Sequence, residues 1–146
     1  MERRPRPAGR GTLRPLGADL SLGVLDTSLL IATDVAPLPG SLAVSTISLA
    51  ELHFGVLIAR SPQARKARLT RLTELRRRFE PLPVDEAVAR SYGELAARVA
   101  AIGRQPRSRV MDLLIAATAH AHGATLYTRN LRDLDGLEGH LRIRAA

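Results

Sequence analysis

Four acidic residues stand beside short apolar runs in this sequence, and their spacing could serve one kind of chemistry. They are Asp26, Glu51, Asp112 and Asp133. Carboxylates held within a few ångströms of one another repel and take up protons unless a cation lies among them. Oxygen ligands of this kind favour Mg²⁺ or Mn²⁺. A bound ion of this type activates water and stabilises charge on a phosphoryl oxygen, as phosphodiester hydrolysis requires. If the four acids converge, the sequence therefore predicts a metal site.

The elements that must position these acids are predicted from apolar periodicity and from helix-breaking residues. Strands are predicted at residues 22–26, 42–45, 79–84, 124–128 and 141–143. Helices are predicted from Ser28 to before Pro37, and over about 49–60, 63–78, 85–102 and 110–122.

Alternation of strands and helices predicts an α/β fold with three layers, in which a small, mostly parallel sheet of four or five strands carries helices on both faces. Ligands of such sheets bind outside the carboxyl ends of the strands. Asp26 ends the first predicted strand, and Glu51 and Asp133 follow later strands. The helix of Asp112 must bring its N-terminus to the same edge.

Each acid also has a purely structural interpretation, because acids are common at helix starts. Asp26 could cap the helix that begins at Ser28. Glu51 completes a capping box with Ser48, and Asp133 stands in the same relation to Asn130. Asp112 could simply complement a helix dipole. The combination of the four favours the metal site.

Composition limits the remaining possibilities. The 146 residues, 45% of them hydrophobic, fit one folded domain over residues 22–146, preceded by a basic and disordered arm, or a mis-set start, over 1–21. The absence of cysteine excludes disulfides and thiolate sites. No segment approaches the roughly 18 to 20 apolar residues that span a bilayer. We expect a cytoplasmic protein without a membrane partner.

The net charge of +8, carried almost entirely by arginine, favours a polyanionic partner such as RNA, although Arg-rich coding also reflects genomic base composition. The densest basic stretch, residues 60–78, is either a solvated helix face or an RNA contact. Arg104, Arg107 and Arg109 precede Asp112 closely and are the better candidates for binding substrate phosphates.

Four segments together resemble the PIN-domain ribonucleases, and in particular the VapC toxins of toxin–antitoxin pairs. The segments are Val24–Ser28, Ser45–Leu52, Asp112–Ala119 and Thr128–Leu134, and their order and spacing match over about residues 22–146. The sequence departs from the family pattern at Leu134, where an aromatic residue is usual.

The resemblance implies that Asp26, Glu51, Asp112 and Asp133 are the catalytic and metal-binding acids. It further implies that Thr27, Thr128 and Asn130 support the site. The implied activity is Mg²⁺- or Mn²⁺-dependent cleavage of RNA that leaves a 5′-phosphate and a 3′-hydroxyl. The implied partners are a cognate VapB-like antitoxin and a second copy of the chain in a homodimer. The alternative is a non-catalytic, basic RNA-binding module on the same fold.

Overall fold

The computed structural model describes residues 22–146, so the predicted arm at 1–21 lies outside the described residues. In this part of the chain, four parallel strands form one sheet in the order β2-β1-β3-β4. They are β1 (Gly23–Leu25), β2 (Leu42–Val44), β3 (Thr125–Thr128) and β4 (Ile143–Ala145). Because the strands are parallel, their carboxyl ends meet at one edge of the sheet, as the acids require.

Within residues 22–146, five α-helices connect and cover the strands. They are α1 (Thr27–Ile31), α2 (Thr46–Leu57), α3 (Pro62–Arg78), α4 (Glu86–Ala101) and α5 (Val110–Ala121). Two short 3-10 helices, Pro106–Arg109 and Leu131–Leu134, lie directly before α5 and after β3. None of the helices within residues 22–146 is both long and apolar enough to cross a membrane.

Successive strand residues point to opposite faces of the sheet, and each face has its own apolar core. Val24 and Leu126 pack on one face with Val88, Leu95 and Leu113 of α4 and α5. On the other face, Leu25, Val44 and Tyr127 pack with residues of α1 and α3, namely Leu29, Leu30 and Leu75. The predicted three-layer architecture, with helices on both faces of a small parallel sheet, is confirmed.

The predicted strand at residues 79–84 is wrong. Only Leu82 pairs with the sheet, through an isolated bridge to Ser45 beyond the end of β2. Pro81 and Pro83 flank it, and proline has no N–H to donate to a strand ladder. The last strand also starts later than predicted, at Ile143 rather than Leu141.

Helix α2 begins three residues before its predicted start, because Ser45 caps it. The Ser45 side chain accepts a hydrogen bond from the Ile47 N–H at 3.0 Å. Glu51 therefore lies in the second turn of α2, so the capping-box interpretation of Glu51 is wrong.

Part of the basic stretch 60–78 is used to attach α3 to its neighbours. Arg65 and Arg68 donate to the carbonyls of Leu57 and Gly55, at 3.2 and 2.6 Å, near the end of α2. Arg71 donates in the same way to the Leu30 carbonyl of α1 at 2.8 Å. Carbonyls at a helix C-terminus lack partners within the helix, so these arginines satisfy groups that would otherwise need water.

Candidate active site

Asp26 lies at the end of β1, where its carboxylate is buried and accepts three hydrogen bonds. Oδ1 accepts from the N–H of Thr27 at 2.9 Å, and this bond caps α1. Oδ2 accepts from the hydroxyls of Ser28 and Thr128, at 2.9 and 2.8 Å. The helix-cap interpretation of Asp26 is therefore confirmed, and it is compatible with a second role for the same carboxylate.

The two hydroxyls that contact Asp26 are themselves held by the backbone. The Ser28 oxygen accepts from the Arg129 N–H at 3.2 Å, and the Thr128 oxygen accepts from the Asn130 N–H at 2.9 Å. Each hydroxyl has one proton, and with its oxygen bonded to a backbone N–H that proton is directed at Asp26. The carboxylate is thus fixed in orientation by uncharged donors.

Glu51 is tied to the end of β1 through Thr27. The Thr27 hydroxyl donates to Glu51 Oε1 at 2.7 Å, and it also lies 2.9 Å from the buried hydroxyl of Ser48. An ionised carboxylate can only accept, so the Thr27 proton points to Glu51 and Ser48 can donate to Thr27. One side chain of α1 therefore positions an acid of α2.

Asp112 is the third residue of α5 and is half-buried. Its pKa is raised from 3.8 to about 6, mainly by burial and then, in decreasing order, by the charges of Asp26, Asp133 and Glu51. The nearby Arg109 acts in the opposite direction. The other three predicted acids are therefore close enough to Asp112 to interact with it electrostatically. The mutual repulsion of the four acids favours uptake of a cation.

Asp133 lies in the 3-10 helix Leu131–Leu134 and is paired with Arg109, whose Nη1 is 2.6 Å from Oδ1. The hydrogen bond to Asp133 raises the pKa of Arg109. Arg104 forms a second ion pair with the same segment, at 3.1 Å from Asp135. Two of the three arginines that the sequence nominated for phosphate binding thus hold acids of this chain, whereas Arg107 is exposed.

One cleft at the carboxyl edge of the sheet is lined by Asp26, Asp112 and Asp133, together with Thr128 and Asn130. Glu51 and Thr27 line the adjoining groove. The Asn130 side chain makes no hydrogen bond to Asp133 within residues 22–146. Instead, the backbone carbonyl of Asn130 accepts a hydrogen bond from the Asp133 N–H at 3.0 Å.

The donor set of the cleft consists of carboxylate, hydroxyl and amide oxygens, which is the chemistry that Mg²⁺ and Mn²⁺ prefer. Within residues 22–146, however, no three Asp, Glu or His side chains are already placed to bind one ion together. The residues fit a divalent cation by chemistry and charge.

Comparison with known proteins identifies the family of this chain. The family model of the PIN domain matches residues 24–136. The chain belongs to the PIN-domain family. Over 123 residues this PIN domain is 39% identical to ribonuclease VapC5 of Mycobacterium tuberculosis, an alignment that covers 80% of this chain and 88% of that protein. It is also 37% identical to ribonuclease VapC8 of the same species over 105 residues, which are 69% of this chain and 93% of that protein.

Solved structures give the same result. The PIN domain superposes on a chain of the toxin–antitoxin complex VapBC-5 from Mycobacterium tuberculosis with a TM-score of 0.74 and 36% identity, covering 86% of this chain and 97% of that one. It superposes on a chain of VapBC2 from Rickettsia felis, bound to a DNA fragment from its promoter, with a TM-score of 0.69 and 25% identity; the coverage is 85% and 98%. The resemblance inferred from the four sequence segments is confirmed.

Sequence reasoning missed Ser28 and Ser48 as contributors to the PIN-domain site, and it assigned Arg109 to RNA phosphates instead of to Asp133. The Ser28 hydroxyl donates to Asp26, Ser48 is hydrogen-bonded to the Thr27 hydroxyl that holds Glu51, and Arg109 is paired with Asp133. The sequence gives a weak indication of the two serines, because each stands two or three residues from a predicted acid. Nothing in the sequence indicates the pairing of Arg109 with Asp133, because 24 residues separate them.

Proposed function

We propose that this PIN domain is a Mg²⁺- or Mn²⁺-dependent endoribonuclease and the toxin of a type II toxin–antitoxin pair. The observation that carries the proposal is the meeting of Asp26, Asp112 and Asp133 in one cleft, with the charge of Glu51 also felt at Asp112. The similarity to proteins named ribonuclease VapC supports the same reaction class.

Asp26, Glu51, Asp112 and Asp133 would hold the ion. When bound, a divalent cation supplies an activated water and neutralises charge on the phosphoryl oxygens. The chain contributes preorganisation: Ser28 and Thr128 fix Asp26, and Thr27 fixes Glu51. Attack of water at phosphorus breaks the bond to the 3′ oxygen, which takes up a proton, and leaves a 5′-phosphate.

Metal dependence is tested with purified protein and a labelled single-stranded RNA. Cleavage should require Mg²⁺ or Mn²⁺ and should be abolished by Asp26→Asn and by Glu51→Gln, with the fold checked by circular dichroism. Cleavage that persists in excess chelator would refute the proposal. RNA binding without cleavage under every metal condition would favour the non-catalytic RNA-binding module instead.

Of the three arginines before α5, Arg107 is the one that forms no ion pair among the described residues, whereas Arg104 and Arg109 are paired with acids. Each lost phosphate contact lowers the salt slope of single-strand binding by about 0.7. We expect Arg107→Ala to lower both affinity and salt slope more than Arg76→Ala, which removes an exposed charge from the C-terminal part of α3. The opposite ranking would place the RNA path along α3.

A cognate VapB-like antitoxin is the proposed protein partner, and a groove beside the active site has the chemistry to bind it. The groove has a volume of about 1090 Å³ and lies between α1, α2 and α3. Its walls are apolar, with Leu30, Leu52 and Leu75, while Arg68 and Arg78 line its α3 side. A segment that combines apolar side chains with acidic ones would complement it.

Two adjacent exposed residues at the end of α2 test this assignment. Ile58, 54% exposed, lines the groove, whereas Leu57, 71% exposed, does not. In a pull-down with the protein encoded by the adjacent upstream gene, Ile58→Glu should lose binding and Leu57→Glu should retain it. Equal behaviour of the two variants would remove the groove from the interface.

A homodimer in the cytoplasm completes the proposal. Val110 and Met111 of α5 and Leu131 of the following 3-10 helix are exposed apolar residues next to the acids. Burying such side chains against a second copy stabilises a dimer. Light scattering should give a dimer mass that Met111→Glu reduces; a wild-type monomer at all concentrations would refute this part.

A further inference from the structure

The four acids of the site are stabilised in different ways. Uncharged donors contact Asp26 and Glu51. Asp133 differs, because its partner is a cation, Arg109, at 2.6 Å. Arg109 also interacts electrostatically with Asp112, so one guanidinium serves two acids of the cleft.

The position of Arg109 in the chain explains why it acts on both Asp133 and Asp112. It is the last residue of the 3-10 helix Pro106–Arg109 and immediately precedes α5, so it stands three residues before Asp112. The oxygen of Asp133 that accepts from Arg109 cannot offer the same lone pair to a metal ion. Consistent with this, no three Asp, Glu or His side chains within residues 22–146 are grouped around one ion position.

We propose that Arg109 is an internal counter-ion of the site. It holds Asp133 while no divalent cation is bound, and it is displaced from Asp133 when the cation binds. The released guanidinium then lies beside the cleft, where it binds a phosphate of the RNA. The contact with RNA, which is the second half of the proposal, rests on the proposed ribonuclease function. The pairing with Asp133 and its displacement by the cation, which are the first half, do not.

Arg104 provides the matched control. It pairs with Asp135 at 3.1 Å and donates to the Arg132 carbonyl at 3.3 Å, so it contacts the same 3-10 segment. Asp135 does not line the cleft of the three aspartates. Loss of Arg104 therefore removes a similar, partly exposed ion pair without freeing an acid of the site.

The deciding experiment titrates metal-free protein with Mn²⁺ in the absence of RNA, by calorimetry or by the electron paramagnetic resonance of free Mn²⁺. Arg109→Gln should bind Mn²⁺ about three- to tenfold more tightly than wild type, because a competing ion pair and a repelling charge are lost. Arg104→Gln should bind it with wild-type affinity, and Arg109→Lys should fall close to wild type. Melting curves in chelator verify that all variants fold.

The second half is tested by RNA cleavage at saturating Mn²⁺. Arg109→Gln should cleave at least about tenfold more slowly despite its tighter metal binding, with partial recovery in Arg109→Lys. Unchanged or weaker Mn²⁺ binding by Arg109→Gln would overturn the proposal. Tighter binding with unimpaired cleavage would overturn the phosphate contact alone. Absence of cleavage by wild type would refute the ribonuclease function, while the Mn²⁺ titration would still decide the counter-ion role.

Discussion

Replacing Asp112 by Asn should stabilise the metal-free protein at neutral pH. Burial, together with the charges of Asp26, Asp133 and Glu51, raises the pKa of Asp112 from 3.8 to about 6. A rise of about two units corresponds to about 3 kcal/mol of destabilisation when the group is ionised. Because Asp112 is only half-buried, water screens part of this cost, and we expect a gain of about 1–2 kcal/mol.

Two effects oppose this gain. An acid in the first turn of a helix interacts favourably with the helix dipole by about 0.3–1 kcal/mol, and Arg109 also favours the charged form. The raised pKa indicates that burial and repulsion exceed the effect of Arg109. The expected gain of about 1–2 kcal/mol also exceeds the usual contribution of the helix dipole. For a domain of this size, the net gain corresponds to a rise in melting temperature of roughly 5 °C.

The pH dependence of stability distinguishes the effect of burial and repulsion at Asp112 from an effect of the helix dipole. The folded protein binds the Asp112 proton more tightly than the unfolded chain does. The protonated group therefore contributes stability that is fully present below about pH 4 and is lost as the pH rises through about 6. Asn does not titrate, so the advantage of Asp112→Asn should grow between pH 4 and 6 and level off above pH 7.

Thermal melts in chelator, at several pH values from 4.5 to 8, measure this difference. Asp135→Asn serves as control, since it removes an acid outside the cleft and should give no gain. Saturating Mn²⁺ should then stabilise wild type more than Asp112→Asn. A variant that is less stable than wild type at pH 7.5, or a difference independent of pH, would show that Asp112 acts mainly through the helix dipole.

Three further predictions concern other parts of the chain. Thr27→Val should lower RNA cleavage at least about tenfold while Thr27→Ser stays near wild type, and urea unfolding should show a loss of only about 1 kcal/mol. Gly23→Ala should be destabilised by about 1–3 kcal/mol in the same assay, because its Cβ would lie 2.6 Å from the Tyr127 ring. A chain starting at Leu22 should fold with an unchanged melting temperature; aggregation would move the proposed domain boundary.

Local patterns were enough to predict most of the elements. The apolar runs of β1, β2 and β3 and the amphipathic spacing of α4 depend on residues close together in sequence, so their bounds agree with the structure to within one or two residues. Parallel strands also require that their carboxyl ends share an edge, which is why Asp26 and Asp133 were expected near each other. Where local signals competed, as at the prolines beside Leu82, the predicted strand was wrong.

The partners of the site residues were decided only by tertiary structure. The sequence alone identified four acids and a basic segment before Asp112, but it assigned Arg104 and Arg109 to RNA rather than to Asp135 and Asp133. The bond from Thr128 to Asp26 joins residues 102 positions apart. Spacing along the chain shows which residues share a helix face or a strand end. The choice between a substrate phosphate and an internal carboxylate depends on distances that exist only after the sheet and both helical layers have packed.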